Sequence, residues 1–419
     1  MAVTPAERQV TARAADAPAP AITNSLEQGK TPAPQHQAQT PVSRRRALLN
    51  WAAVAAGVYL LITAVGIIGS GFSLAAGDQA EELFSFAANP IIGLMIGIAA
   101  TALTQSSSTT TSVTVGLVAG GLPLGIAIPI ILGANIGTTL TNTLVSLAMV
   151  RDKDQFRRGF AAATVHDFFN LLAVAIFLPL EMAFGLLERT ATAASGLLGG
   201  SESAETGLIE TILGGFGALI KGATGPAGDL VEAGFSPLPD VWAGIAMIVF
   251  AIVLILLVIN MISRKLKAVL VGRAERVLHA SVGRSPITSI GSGALVTVMV
   301  QSSSTTTALM VPLAGSGKLS LRQIYPFTLG ANIGTTITAL VAAMAFDGEL
   351  GTIALTAALV HLFFNLFATA VIFGIPGLRE VPLLGARWLS ELAARRTLAA
   401  FAWVGVVFVA VPLVLIFAL

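Results

Sequence analysis

A chain of 419 residues that is 55% hydrophobic and only 11% charged, with a mean hydropathy of +0.83, cannot be divided into soluble domains and reads as an integral membrane protein. The absence of cysteine excludes disulfides, thiolate metal sites and cysteine nucleophiles. A formal net charge of +2 supplies no basic patch for nucleic acid, and 42 glycines without period-two alternation favour close-packed helices over a transmembrane barrel.

Residues 1–43, rich in Ala, Pro, Gln and Thr and without periodicity, are expected to form a disordered cytoplasmic tail. No cleavable leader is expected ahead of the first long apolar run, 51–72, which follows Arg44, Arg45 and Arg46. Further full spans are expected at 123–149, 159–180, 241–262, 324–346, 352–375 and 398–419, making seven in all. Two other apolar stretches, 89–122 and 285–317, are each broken midway by a polar heptapeptide. They open on Asn89-Pro90 and Ser285-Pro286, so each is expected to be a re-entrant hairpin rather than a crossing.

Loops rich in Lys and Arg remain cytoplasmic. With the amino terminus inside, Arg151 to Arg158, Arg264 to Arg284, Lys318 with Arg322, and Arg379 to Arg396 all fall inside. Asp78, Glu81, Glu82, Asp347 and Glu349 fall outside, as does the carboxyl terminus. The expected location is a plasma membrane, crossed several times.

Three motifs recur. Gln105-Ser-Ser-Ser-Thr-Thr-Thr111 returns unchanged as Gln301 to Thr307, Gly133-Ala-Asn-Ile-Gly-Thr-Thr139 as Gly330 to Thr336, and His166-Asp-Phe-Phe-Asn170 as His361-Leu-Phe-Phe-Asn365. Their offsets of 196, 197 and 195 residues mark a duplication. The charge map orients the halves oppositely. The expected fold is therefore an all-α polytopic membrane protein with two inverted-topology repeats, each carrying a hairpin, the arrangement of secondary transporters that hold substrate near the midplane. Its parts would be a first repeat at 44–180, an extracellular linker loop at 181–240, a second repeat at 241–375, and a cytoplasmic connector with a final helix at 376–419.

Each heptapeptide sets one amide and six hydroxyls in an apolar environment, where an unsatisfied polar group costs several kcal/mol. A lone Ser or Thr in a span is ordinarily interhelical glue; seven polar residues in succession, duplicated, point to ligands. Their oxygens suit a hard cation such as Na⁺, and the start of the second half-helix suits an anion. No Arg or Lys falls in any expected span, so an anion's charge would be met by helix ends and co-bound cations. Gly133 with Gly137 and Gly330 with Gly334 have the spacing of close helix packing, while the neighbouring Asn135, Thr138, Thr139, Asn332, Thr335 and Thr336 offer further oxygens for sodium. His166 and His361 fit hydrogen bonding between helices better than ligation. Asp167 is the one carboxylate expected inside a span, with Leu362 in its place in the second half; it would bind a cation or hold a neighbouring helix.

The paired Gln-Ser-Ser-Ser hairpins, the two Gly-Ala-Asn-Ile-Gly-Thr-Thr helices and the stretch from Ile128 through Phe156-Arg-Arg-Gly-Phe to Ala163-Thr-Val-His-Asp-Phe-Phe-Asn together resemble the type II sodium-phosphate cotransporters, over about Trp51 to Leu419. The resemblance implies Na⁺-driven uptake of inorganic phosphate, with Na⁺ as the co-transported ion and no organic cofactor. It maps substrate binding onto Gln105, Ser106, Ser107, Ser108, Ser302, Ser303 and Ser304. Sodium ligation would fall to Gln301, Ser302, Thr335 and, in electrogenic members, Asp167, which electroneutral members replace with Gly. Unlike the animal members, this chain has no cysteines for an outer-loop disulfide; it is expected to fall one helix short of them, without a tail for scaffold partners, and to lie in a bacterial inner membrane. The rivals are a symporter of another oxyanion such as sulfate or arsenate, an ion channel, and an intramembrane hydrolase. The last fails because His166 and Asp167, as sequence neighbours, point about 100° apart on a helix.

Overall fold

The computed structural model describes residues 44–76, 89–199 and 222–419, and among them every regular element is helical. Among the described residues, seven helices are long and apolar enough to cross a membrane: Arg45–Ala76, Leu124–Leu147, Lys153–Phe184, Asp240–Leu270, Leu321–Ala343, Gly348–Phe373 and Thr397–Ala418. Each overlaps one expected span, so the all-α polytopic class holds. The Thr397–Ala418 segment buries only 17% of its apolar window against the protein, leaving Leu398, Phe401 and Phe417 to face lipid.

The two stretches with central polar heptapeptides behave differently. Pro90–Thr104 and Pro286–Val300 are 15 residues each, about 22 Å of helix, which is too short for a hydrocarbon core of ~30 Å. Their starts are legible locally, because the prolines occupy the first turn and the residue before each proline caps the helix. Asn89 accepts a bond from the Ile91 amide, while Ser285 and Thr288 form a capping box. After two non-helical residues the chain resumes as Ser107–Ala119 in one case. In the other it resumes as Ser303–Ala308, continued by Met310–Gly315.

Both halves pack by the same device. Pro90–Thr104 lies against Leu124–Gly137, and Pro286–Val300 against Leu321–Ala343. A Cβ on Gly133 would collide with the Leu94 carbonyl, and one on Gly330 with the Ile290 carbonyl, so these glycines serve close helix approach. The first long helices of the two halves also pair with each other, Arg44–Ala76 running along Asp240–Ser281 with Gly71 against Gly244.

Three stretches differ from the sequence expectation. Arg264 to Ser281, expected as loop, continues the Asp240–Ser281 helix to 42 residues, about 63 Å. Charge sets topology, but Lys and Arg are good helix formers and do not end a helix. The stretch expected as the outer linker contains the Leu186–Gly199 helix and another at 222–235. Leu186–Gly199 packs on Gly348–Ala368, with Ser195 and Thr356 hydroxyls 2.6 Å apart. The connector after 375 is the Pro376–Arg395 helix, seated on Lys153–Phe184 with Gly385 against the Phe168 ring. The expectations for residues 1–43, for Asp78, Glu81 and Glu82, and for 200–221 lie outside the described residues.

The basic loops gather at one end of the bundle. Arg158 donates to the Gly315 carbonyl at 2.9 Å, Gly283 lies against the Gln323 side chain, and Arg322 grips Glu380 with both terminal nitrogens at 2.8 and 2.6 Å. The Arg322 pair is half-exposed, so it adds little energy, but it fixes which segments share that end.

Candidate functional site

At each heptapeptide the first helix ends on a glutamine with left-handed backbone, Gln105 at φ 54° and Gln301 at φ 53°. Among the described residues they are the two non-glycine residues with positive φ. Each amide side chain is held at both ends. Gln105 Nε2 donates to the Ala102 carbonyl at 2.6 Å, and its Oε1 accepts from Thr141 at 2.7 Å. Gln301 Nε2 donates to Val298 at 2.9 Å, and its Oε1 accepts from Thr338 at 3.2 Å. The glutamines thus tie the break to the following long helix in both halves.

The next residue restarts the helix. Ser106 and Ser302 are extended, at φ −153° and −161°, and their hydroxyls accept the amides of Thr109 and Thr305, each at 3.2 Å. The amides of Ser107, Ser108, Ser303 and Ser304 are left without an acceptor among the described residues. The two breaks meet. Gln105, Ser106, Ser107 and Ser108 line one cavity together with Gln301, Ser302, Ser303 and Ser304. Its volume of about 230 Å³ far exceeds the roughly 10–15 Å³ that one water needs, so a multi-atom ligand fits with solvent.

The other expected ligands do not line this cavity. Thr138, Thr335 and Thr336 donate to carbonyls of their own helices at 3.0, 2.9 and 2.7 Å. Asn135 and Asn332 join a buried chain between the halves: His166 Nε2 lies 2.6 Å from Asn332 Oδ1, Asn332 donates to Asn170 at 2.8 Å, and Asn170 donates to the Asn135 carbonyl at 2.7 Å. The second half does not reproduce the chain, for neither ring nitrogen of His361 has a partner. Asp167 is fully buried. Its Oδ2 accepts the Trp403 indole N–H at 2.8 Å, and the Thr139 hydroxyl also lies beside the carboxylate.

Lys267 corrects the expectation that no basic side chain could meet an anion. With Asn260 and Ser263 it forms a polar stripe down one face of the Asp240–Ser281 helix, all three line the cavity, and Lys267 Nζ donates to Thr305 Oγ1 at 2.8 Å. The three-and-four spacing of that stripe within an apolar run was the available signal. Thr141, outside both heptapeptides, also lines the cavity and was not anticipated as a ligand. Since Thr141 holds Gln105, Thr141→Val should loosen the first tip by about 1 kcal/mol, a roughly five-fold weaker apparent substrate affinity with unchanged protein yield. Initial-rate uptake against substrate concentration checks it.

A family model described as Na⁺/Pi-cotransporter matches residues 60–220 and 254–376. Among curated proteins, the chain is 32% identical over 401 residues to sodium-dependent phosphate transport protein 2A of Ovis aries, covering 81% of this chain and 63% of that protein. It is 33% identical over 424 residues to protein 2A of Oryctolagus cuniculus, covering 86% and 65%, and 31% identical over 444 residues to protein 2B of Homo sapiens, covering 85% and 63%. The chain therefore spans somewhat less than two thirds of these relatives' lengths. No solved structure matches it.

Proposed function

The chain belongs to the Na⁺/Pi-cotransporter family, and we propose that it is a symporter, not an enzyme, that uses the Na⁺ gradient to carry inorganic phosphate across a plasma membrane, the inner membrane in a bacterium. The observation that carries this reading is the meeting of the two Gln-Ser-Ser-Ser breaks in one polar cavity. Serine hydroxyls and the unpartnered amide of Ser108 can donate to phosphate oxygens, with the positive end of the Ser107–Ala119 helix behind them. Because the hairpins belong to opposite repeats, a rocking motion of one against the other would open the shared cavity first to one side and then to the other. The end that gathers the basic loops faces the cytoplasm, and both sodium and phosphate enter from the opposite side.

Sodium is assigned to the oxygens around the second tip, Gln301 and Ser302, with Thr335, Thr336, Asn332, Asn135 and Thr138 recruited in another state of the cycle. Asp167 is assigned to a further sodium that makes transport electrogenic, which the complete burial of this carboxylate supports. In proteoliposomes, labelled phosphate uptake should fall to background when Na⁺ is replaced by K⁺. Equal uptake in the two cations would overturn the coupling, and stronger competition by sulfate or arsenate than by unlabelled phosphate would reassign the substrate.

A further inference from the structure

At the end of the bundle that gathers the basic loops, the Pro376–Arg395 helix joins the Gly348–Phe373 span to the Thr397–Ala418 span. Three rows run along it. Leu383, Ala386, Leu389 and Ala393 are buried against the protein. On another side Val381, Leu384, Trp388 and Leu392 recur at spacings of three and four residues, and all four are exposed, Trp388 by 60%. Arg387, Glu391 and Arg395 recur every fourth residue in the row between these two. A connector between two spans that carries a bare apolar row and an exposed tryptophan lies at the level of the lipid headgroups, where the indole is at home and the apolar row meets the acyl boundary.

The middle row faces two adjoining cavities, of about 270 and 390 Å³, which share Arg157 and Glu391. Arg158 and Arg387 line the first, Lys153 and Arg395 the second. Five basic side chains therefore stand against two carboxylates, Asp154 and Glu391, and three positive charges are uncompensated. Arg157 lies 3.5 Å from Asp154, but among the described residues no carboxylate pairs with Lys153, Arg387 or Arg395. Asp152, outside both cavities, is occupied in capping its own helix. Arg158 is held through Nε by the Gly315 carbonyl, which leaves its terminal nitrogens as donors. A solvated charged face would not need to be concave, nor to collect its excess charge from two different helices.

We infer that these cavities bind the headgroup of an anionic glycerophospholipid, with its phosphate oxygens on the arginines and its acyl chains along the row from Val381 to Leu392. Free phosphate would satisfy the arginines and leave the apolar row bare. A zwitterionic lipid would cover the row and bring its own cation to a positive site. An anionic lipid meets both demands. Bound there, it bridges the start of the Lys153–Phe184 helix to the connector, and its recognition is independent of what the protein transports.

The test uses the full chain in detergent, with dioleoyl phosphatidylglycerol or dioleoyl phosphatidylcholine titrated in and bound lipid counted by native mass spectrometry. Wild type should retain phosphatidylglycerol in preference to phosphatidylcholine. Each Lys or Arg at an anionic lipid surface contributes about five-fold in affinity, so Arg387→Gln combined with Arg395→Gln should weaken phosphatidylglycerol binding roughly 25-fold. Arg264→Gln combined with Arg284→Gln removes the same charge from positions outside both cavities and should bind as wild type does. Leu384→Ser combined with Trp388→Ser keeps every charge and should also weaken binding, while a large excess of inorganic phosphate should leave the lipid in place. All six positions are exposed, so the variants should stay folded, which a monodisperse elution profile checks. Equal retention of the two lipids, or equal losses in the two arginine pairs, would overturn the site. Displacement by inorganic phosphate, or full binding by the Leu384 and Trp388 variant, would overturn the lipid as its occupant and make the cavities a site for the free anion.

Discussion

Asp167→Asn is expected to preserve Na⁺-dependent phosphate uptake while abolishing its response to membrane potential. The carboxylate lies wholly inside the Lys153–Phe184 helix bundle, and one of its oxygens is bonded only by the Trp403 indole. An isolated charge there is costly and favours a cation partner. If that partner is one extra Na⁺ per cycle, each charge gains ~2.3 kcal/mol per 100 mV. At about 1.4 kcal/mol per decade, the attainable phosphate gradient rises roughly 50-fold. Asn retains an oxygen for Trp403, whose ring stacks on Phe168 at 5.2 Å, so the local packing survives the loss of charge. Asp167→Gly removes both, and a comparison of the two variants separates charge from packing. Phosphate accumulation in vesicles clamped with valinomycin reads the outcome. Equal voltage dependence in wild type and Asn variant would place the extra charge elsewhere, or show there is none.

Gly330→Ala should cost the protein its stable fold, although alanine is the better helix former. The added Cβ would be driven into the backbone carbonyl of Ile290, which cannot swing aside as a flexible side chain would. Overpacking of this kind costs about 1 to 3 kcal/mol or more, against the ~1 kcal/mol that Gly to Ala otherwise gains in a helix. Gly133→Ala should do the same against Leu94. Gly291→Ala supplies the contrast, because nothing lies within 4 Å of a Cβ there, and it should leave thermal stability unchanged or raised. Melting of the three variants in detergent decides. A Gly330→Ala protein as stable as wild type would mean that the paired helices separate at little cost.

The seven spans and the two polar breaks were legible because hydropathy and duplication both act over long windows. Lys267 was hidden by the same averaging: a window sees the charge cluster that begins at Arg264 and ends the span there, although the helix continues and turns one lysine inward. Asn332 and His166 were both conspicuous in the sequence, yet their contact across 166 residues follows from how the long helices cross, which no local spacing encodes. The Gly-Ala-Asn-Ile-Gly-Thr-Thr segments illustrate both sides. Their glycines act at short range and were read as packing, whereas their hydroxyls satisfy their own helix carbonyls instead of facing the cavity.

The left-handed backbone of Gln105 and Gln301 sets a limit on how robust the molecule can become. A non-glycine residue in that region carries about 1 to 3 kcal/mol that glycine would not. The easiest stabilising change at either tip is therefore the one that deletes the amide tying the break to Thr141 or Thr338. Robustness and activity compete at the same two positions, and a variant selected only for survival in heat or detergent would tend to lose its transport site first.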